Sequence, residues 1–388
     1  MERRQPIGAG AGIALVGYAS SFAIVLAGLR AVGATPAQAT SGLVVLCIAT
    51  GLATLVLSRR HRIPLTIAWS TPGAAVLVGT GAVGGGWPDA VGAFALVGAL
   101  LVLAGLWPRL GSLIGAIPPS IAQAMLAGVV LQICLIGVRG AAAHPWEVAS
   151  ILLAWLALAR VRPGWAVPGA FAVALAVAGV LAVRHGGAHG PLLPQLSATV
   201  PHLSWAAVVS IALPLFIVTM AGQNVPGVAI MSSFGFTVPW RSAITTTGLG
   251  TLIGAPFGGH AINLAAITAS VPASPLAHPD PRRRWPASAA FGATFLALAV
   301  VTTALTTLLG AAPAGILAAV AALGLLPTLG SSLGTALADS AQRTPAAVTL
   351  VVAASGVTIA GVGAATWALV AGLVVRAALT AGRPRALS

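Results

Sequence analysis

The chain contains no lysine and only five acidic residues among its 388, so its formal charge of +14 comes entirely from arginine. Charged residues make up 6% of the sequence against 58% hydrophobic, and the mean hydropathy is +1.01. A soluble core of this length cannot absorb so much apolar surface, which excludes a soluble globular protein and leaves a polytopic membrane protein. The basic excess does not mark a nucleic-acid binder. The arginines fall between apolar runs without interleaved base-stacking aromatics, and they read as topology determinants and contacts to the headgroups of the lipid bilayer. The two cysteines, Cys47 and Cys134, both lie inside apolar runs, where a small polarizable side chain is the expected role. They imply no disulfide, no metal site and no cofactor. A membrane-embedded enzyme would need a nucleophile with its base or a metal cluster, which a lone intramembrane histidine does not supply, so no catalytic residue is assigned.

What the chain has in abundance is apolar sequence in lengths that span a bilayer, about 20 residues each, or shorter where extended backbone completes the span. About fourteen such stretches run from Gly8–Arg30 to Ala364–Ala378. The N-terminus, MERRQPIGAGAG, shows no small-residue cleavage site after a short apolar region, so the first span is expected to stay. With the N-terminus inside, every arginine except Arg30, Arg139 and Arg184 falls in a cytoplasmic loop. That asymmetry places both termini in the cytoplasm. Seven spans per half makes the halves inverted in topology. Phe22, Ile24, Ala27 and Gly28 echo Phe216, Val218, Ala221 and Gly222, and GLATL at Gly51–Leu55 echoes GLGTL at Gly248–Leu252. Leu181–Pro201, with Gly186, Gly187, Pro191 and Pro194, reads as the connector between halves.

The fold expected is thus an all-α polytopic membrane protein of about fourteen transmembrane segments in a 7+7 inverted repeat. Its third and tenth spans, Ile63–Ala82 and Pro256–Ser270, are broken into an extended stretch plus a half-helix. Such interruptions at corresponding places in two halves are the best pointer in a sequence to a transporter's binding site. In the first, Pro64 to Trp69 alternates like a strand, then Ser70-Thr71-Pro72 supplies an N-cap and a proline at the helix start. A helix beginning in mid-membrane offers unpaired amides and a positive dipole end to an anion. In the second, Pro256-Phe257-Gly258-Gly259 is flexible backbone, and His260 to Asn263 is expected to open the following apolar helix. Two helix ends would then face one cavity.

The acids Glu2, Asp89, Glu147, Asp280 and Asp339 all fall in or beside expected loops, so no carboxylate is expected at membrane depth. A cation carrier, or a nucleobase carrier gripping ring N–H groups, would place acids there. An anionic substrate fits better, met by helix ends, by Ser70 and Thr71, and by the amides Gln223, Asn224 and Asn263. His260 is the one histidine expected within a span; His61, His144, His185, His189, His202 and His278 lie in loops or at span ends. An imidazole titrating near neutrality makes His260 a candidate carrier of a coupled proton, and a neutral histidine bonded to a local carbonyl is the structural alternative. Gln223-Asn224-Val-Pro226-Gly227 sits deep in the eighth span beside an expected helix break. Tyr18, Phe22 and Trp69 could stack on a substrate ring or simply pack between helices. Arg282-Arg283-Arg284 reads as an orientation signal without a substrate role. The substrate-binding set is therefore Tyr18, Phe22, Trp69, Ser70, Thr71, Gly73, Gln223, Asn224, Gly259, His260 and Asn263, with His260 also in proton coupling.

The segments TIAWSTPGAA (Thr66–Ala75), NVPGVAI (Asn224–Ile230) and FGGHAINLAAIT (Phe257–Thr268) resemble the signature segments of the benzoate transporter (BenE) family of bacterial inner-membrane proton symporters. The resemblance implies a fold similar to the uracil-permease and sulfate-transporter group, with a core domain in residues 1–107 and 203–309. A gate domain in 108–202 and 310–388 would carry any homodimer contact. It implies uptake of benzoate or a related aromatic carboxylate with a proton by alternating access. A nucleobase symporter of the same fold, or an anion uniporter or channel without proton coupling, is the alternative. Against the nucleobase branch stand Gln223, Asn224, His260 and Asn263 where acids would be.

Overall fold

A computed structural model describes residues 4–107, 109, 118–184, 187, 190–310 and 312–381. Glu2, Arg3, His185, Gly186, His189, Arg383 and Arg385 lie outside the described residues. The helices are α1 Arg4–Ala31, α2 Pro36–His61, α3 Thr71–Thr80, α4 Gly86–Leu106, α5 Pro119–Ala143, α6 Pro145–Val161 and α7 Ala166–Arg184. The second set is α8 Trp205–Ser233, α9 Trp240–Gly254, α10 Ser270–Ala273, α11 Trp285–Gly310, α12 Ala314–Ala338, α13 Arg343–Ser355 and α14 Ala364–Thr380. Two three-residue strands, β1 Ile67–Trp69 and β2 Ile262–Leu264, precede α3 and α10. Among the described residues, eight helices are long and apolar enough to cross a membrane. The segment order matches the expected fourteen, with the third and tenth broken.

Helix starts follow local chemistry. Thr35 caps α2 through a reciprocal box with Gln38, and Pro36 occupies the first turn. Helix pairs cross where glycine removes the side chain. A Cβ on Gly51 would lie 2.7 Å from the Gly292 carbonyl oxygen, and one on Gly98 would lie 2.5 Å from the Leu252 nitrogen. The first contact joins α2 to α11 and the second joins α9 to α4, so equivalent helices of the two halves cross in the same way. The segment ends gather at two faces. His61 bonds Ser242, Arg62 lies over Trp285 and Trp240 bonds the Ala104 carbonyl at one face. At the other, Trp87 donates to Thr199 and the connector crosses α2 and α4.

Two expectations need correction, on the second break and on the eighth span. His260 to Asn263 do not open a helix: Ile262–Leu264 is strand, and the helix after it is a single turn beginning at Ser270. The eighth span is not broken at Pro226. It stays helical through two π-turns, Val208–Ala212 and Met220–Asn224, and the second swings Gln223 and Asn224 toward β2. Asp89 is 1% exposed in the first turn of α4, bonded to His202 and to Ser204, the N-cap of α8. The connector is thereby tied down by the buried carboxylate. Within the Arg282–Arg284 run Arg284 is buried, and its guanidinium donates to the carbonyls of Ala273, His278 and Pro279. It closes the loop behind α10.

Candidate functional site

The two broken segments meet. β1 and β2 pair antiparallel, with Ile67 opposite Leu264, Ala68 opposite Asn263 and Trp69 opposite Ile262. Ser70 N–H extends the ladder to the Ala261 carbonyl at 2.9 Å, and Ala265 N–H reaches the Thr66 carbonyl at 2.9 Å. A two-stranded sheet has two open edges, and inside a membrane each N–H on those edges must find a partner within the protein. Thr54 of α2 accepts from Ile67 N–H at 3.1 Å, and Thr251 of α9 accepts from Ile262 N–H at 3.0 Å. These two threonines occupy the same place in the GLATL and GLGTL echoes. Asn224 accepts from Leu264 N–H at 2.8 Å, and Gln223 accepts from Ala266 N–H at 3.4 Å. The two amides therefore finish the outer edge of β2.

Helix α3 starts where β1 ends. Ser70 Oγ caps it, accepting from Gly73 N–H at 3.1 Å, and lies 2.8 Å from Thr219 Oγ1 of α8. Ser70 and Thr219 are both fully buried. Thr71 is half-buried in the first helical turn. Gly73 is buried with no room for a side chain, since its Cβ would fall 2.3 Å from Leu215 Cδ1 of α8. With its amide oriented to satisfy its neighbours, Asn263 accepts from Ser70 N–H at 3.1 Å. The ten-residue α3 presents a helix N-terminus here. The four-residue α10 is too short to do the same. The second break contributes strand, amides and imidazole instead.

An aromatic cluster stands on one side of the strands. Tyr18 lies 5.3 Å from Phe22, 5.7 Å from Trp69 and 6.2 Å from Phe295, between ring centroids. Trp69 meets Phe295 edge-on at 5.4 Å, and Phe295 stacks on Phe291 at 4.8 Å. Phe22 reaches Phe171 of α7 at 5.3 Å. These are favourable offset and edge geometries. The polar tips are held too. Trp69 Nε1 donates to Ser21 Oγ at 2.6 Å, and Tyr18 Oη lies 2.9 Å from Thr302 Oγ1. Thr302 itself donates to the Leu298 carbonyl at 2.7 Å, so the phenol must be the donor to Thr302.

His260 is fully buried, and its ring contact is Phe94 of α4, edge-on at 6.3 Å, outside the Tyr18–Trp69–Phe295 cluster. Its Nδ1 accepts from Ala261 N–H at 2.6 Å, which puts the ring proton on Nε2, and Nε2 has no partner. Gly259 is buried beside it, its N–H on the Gly254 carbonyl at 3.0 Å. Of the expected residues, Trp69, Ser70, Thr71, Gly73, Gln223, Asn224, Gly259, His260 and Asn263 thus sit on or directly beside the strand pair. Tyr18 and Phe22 join it through Trp69. Reading the sequence missed Ser21, Thr54, Thr219, Thr251, Phe295 and Thr302. The GLATL and GLGTL echoes held the one signal that could have found two of them.

No group of three or more metal-ligating side chains occurs among the described residues. An inverted repeat that joins two broken membrane segments around one buried helix end is the architecture of a multi-span membrane transporter. Residues 3–378 match the family described as benzoate membrane transport protein (BenE), and the chain belongs to that family. It is therefore a membrane transporter and not an enzyme. It is 40% identical over 364 residues to the inner membrane protein YdcO of Escherichia coli (strain K12), covering 92% of this chain and 91% of that one. It is 28% identical over 372 residues to the benzoate membrane transport protein of Acinetobacter baylyi, covering 93% and 91%. Among solved structures it resembles the transmembrane domain of the cyanobacterial bicarbonate transporter BicA, with a TM-score of 0.60 at 13% identity over 95% of this chain and 97% of that one. It also resembles SLC26A9, with a TM-score of 0.64 at 14% identity over 97% of this chain and 65% of that one. At these identities the likeness is one of fold.

Proposed function

We propose that the protein takes up benzoate or a close aromatic carboxylate together with a proton, by alternating access across the bacterial inner membrane. The observation that carries this reading is the placement of one buried helix N-terminus beside an aromatic cluster. The Ser70–Thr71 end of α3 suits a carboxylate, and Tyr18, Phe22, Trp69 and Phe295 suit its ring. Asp89, the buried carboxylate among the described residues, is engaged by His202 and Ser204 at the connector. That favours an anion over a nucleobase.

His260 supplies the proton coupling in this reading. Its unpartnered Nε2–H is a donor that a substrate oxygen can meet. A second proton would have to sit on Nδ1, opposite the Ala261 N–H that it now accepts. Protonation therefore displaces Ala261, whose carbonyl holds Ser70 N–H at the start of α3. Substrate and proton would act on the same few backbone atoms. Residues 1–107 and 203–309 form the moving core, residues 108–202 and 310–388 form the gate and any dimer contact, and both termini face the cytoplasm.

Entry of a monoanion with one proton moves no net charge, so the pH gradient drives it and voltage does not. The test is uptake of labelled benzoate into proteoliposomes, with protein-free vesicles subtracting the passive flux of the neutral acid. Accumulation is expected with an inside-alkaline gradient at zero voltage, and to fall with His260→Ala. Uptake driven by voltage alone, or indifferent to external pH, overturns the reading in favour of a uniporter.

A further inference from the structure

A groove of about 320 Å³ opens at the end of α6, lined by Leu158, Arg162, Trp165, Pro168, Gly169 and Ala172. It is far along the chain from the strand pair, and the transport reading makes no use of it. Its construction is local. Helix α6 ends as Arg162 N–H bonds the Leu158 carbonyl, and the tight turn Pro163–Trp165 leads straight into α7. Gly169 lets the two helices touch, since its Cβ would fall 2.0 Å from Leu158 Cδ1. Five of the six lining residues are apolar or aromatic, so the groove offers hydrocarbon contact with a single cation at its edge.

Among the described residues that cation has no protein partner. The Arg162 side chain is exposed and makes no hydrogen bond or ion pair among the described residues. Glu147, the acid on the same helix, lies fifteen residues away, about 22 Å at the helical rise. Arg160, two residues back and so turned to the other side of the helix, is a second exposed charge. Trp165 is half-exposed at the same level, where interfacial tryptophans sit. Elsewhere on α6, Leu152, Leu153, Leu156 and Val161 are exposed, apolar surface of the kind that meets acyl chains.

We infer that this groove holds one anionic phospholipid, its phosphate on Arg162 and an acyl chain against Leu158, Pro168 and Ala172. Basic pockets between membrane helices recognise such headgroups. A second copy of this chain fits less well, because a two-fold contact here would bring Arg162 toward its own copy with no acid among the lining residues to receive it.

Native mass spectrometry of the full chain tests this, with phosphatidylglycerol and phosphatidylcholine offered in equal amounts. One phosphatidylglycerol per chain is expected to survive release from detergent, in several-fold preference to phosphatidylcholine. Arg162→Gln removes the preference, and Ala172→Leu, which fills the groove with the charge kept, removes the bound lipid. Arg160→Gln retains both, and a melting curve with the wild-type midpoint verifies that each variant is folded. Equal retention of the two headgroups, or retention unchanged by Arg162→Gln or Ala172→Leu, overturns the assignment. A lipid-free dimer that dissociates in Ala172→Leu gives the groove to a second copy and overturns it too.

Discussion

Ser70 carries two bonds at once, and removing it separates the helix cap from the tie to α8. Its hydroxyl accepts from Gly73 N–H at 3.1 Å and meets Thr219 Oγ1 at 2.8 Å, with both side chains fully buried. Loss of an N-cap costs about 0.5–2 kcal/mol. A buried hydroxyl left without a partner costs about 1–3 kcal/mol more. Ser70→Ala incurs both and is expected to destabilise by about 1.5–5 kcal/mol. Thr219→Val keeps the cap and removes only the partner of the Ser70 hydroxyl, so about 1–2 kcal/mol is expected. In the double variant neither group remains to be orphaned. Its loss should fall short of the sum of the single losses by about 1–2 kcal/mol. Ser70→Thr keeps the hydroxyl and should stay close to wild type.

The assay is reversible unfolding in mixed detergent micelles for all four variants, paired with benzoate binding by scintillation proximity. If the cap presents α3 to the substrate, Ser70→Ala weakens binding by about tenfold or more, which corresponds to about 1.4 kcal/mol. Strict additivity of the two single losses would show that the 2.8 Å contact carries no energy. A Ser70→Ala protein within about 0.5 kcal/mol of wild type would refute the capping argument as a whole.

Thr54→Val and Thr251→Val each orphan one strand N–H and should each cost about 1–3 kcal/mol in the same unfolding assay, with the serine variants retaining most of it. Gly98→Val and Gly292→Val force side-chain atoms onto neighbouring backbone that already lies within 2.7 Å of where a Cβ would stand, so folded protein recovered on size exclusion should fall sharply for both. Trp69→Phe keeps the ring cluster and loses the bond to Ser21, costing about 0.5–1.5 kcal/mol in stability while benzoate still binds. Arg284→Lys cannot bridge three carbonyls, and the loop around His278 to Asp280 should become cleavable in limited proteolysis.

How much of this was legible depended on whether the signal was local. The Ser70-Thr71-Pro72 cap and the order of the fourteen segments follow from hydropathy and from chemistry within one turn, and both were readable. The single turn of α10 was not, because Ala265 to Ser270 is as apolar as a helix needs and nothing local says that β1 will claim the preceding residues for pairing. The π-turn at Met220–Asn224 was likewise hidden: Pro226 suggests a break, while the swing of Gln223 and Asn224 answers a demand from β2, about forty residues on. Arg284 looked like one of three equal charges. Only the fold reveals which of them has carbonyls to hold.

The two halves are alike where they build the frame and differ where they face the proposed ligand. Thr54 and Thr251 do one job twice, and so do the Gly51 and Gly98 crossings, because both strands have an edge and both helix pairs must cross closely. Beyond that frame the repeats part. Helix α1 brings Tyr18, Ser21 and Phe22 to the aromatic side, while α8 brings Thr219, Gln223 and Asn224 to the polar one. One half-helix runs ten residues and the other four, so one helix end is available for charge rather than two. On the proposed reading, the single helix terminus meets the one charge and the single aromatic wall meets the one ring of the ligand. A dicarboxylate should therefore fail here even where its ring fits, since a second charge would be buried with no second helix end to receive it.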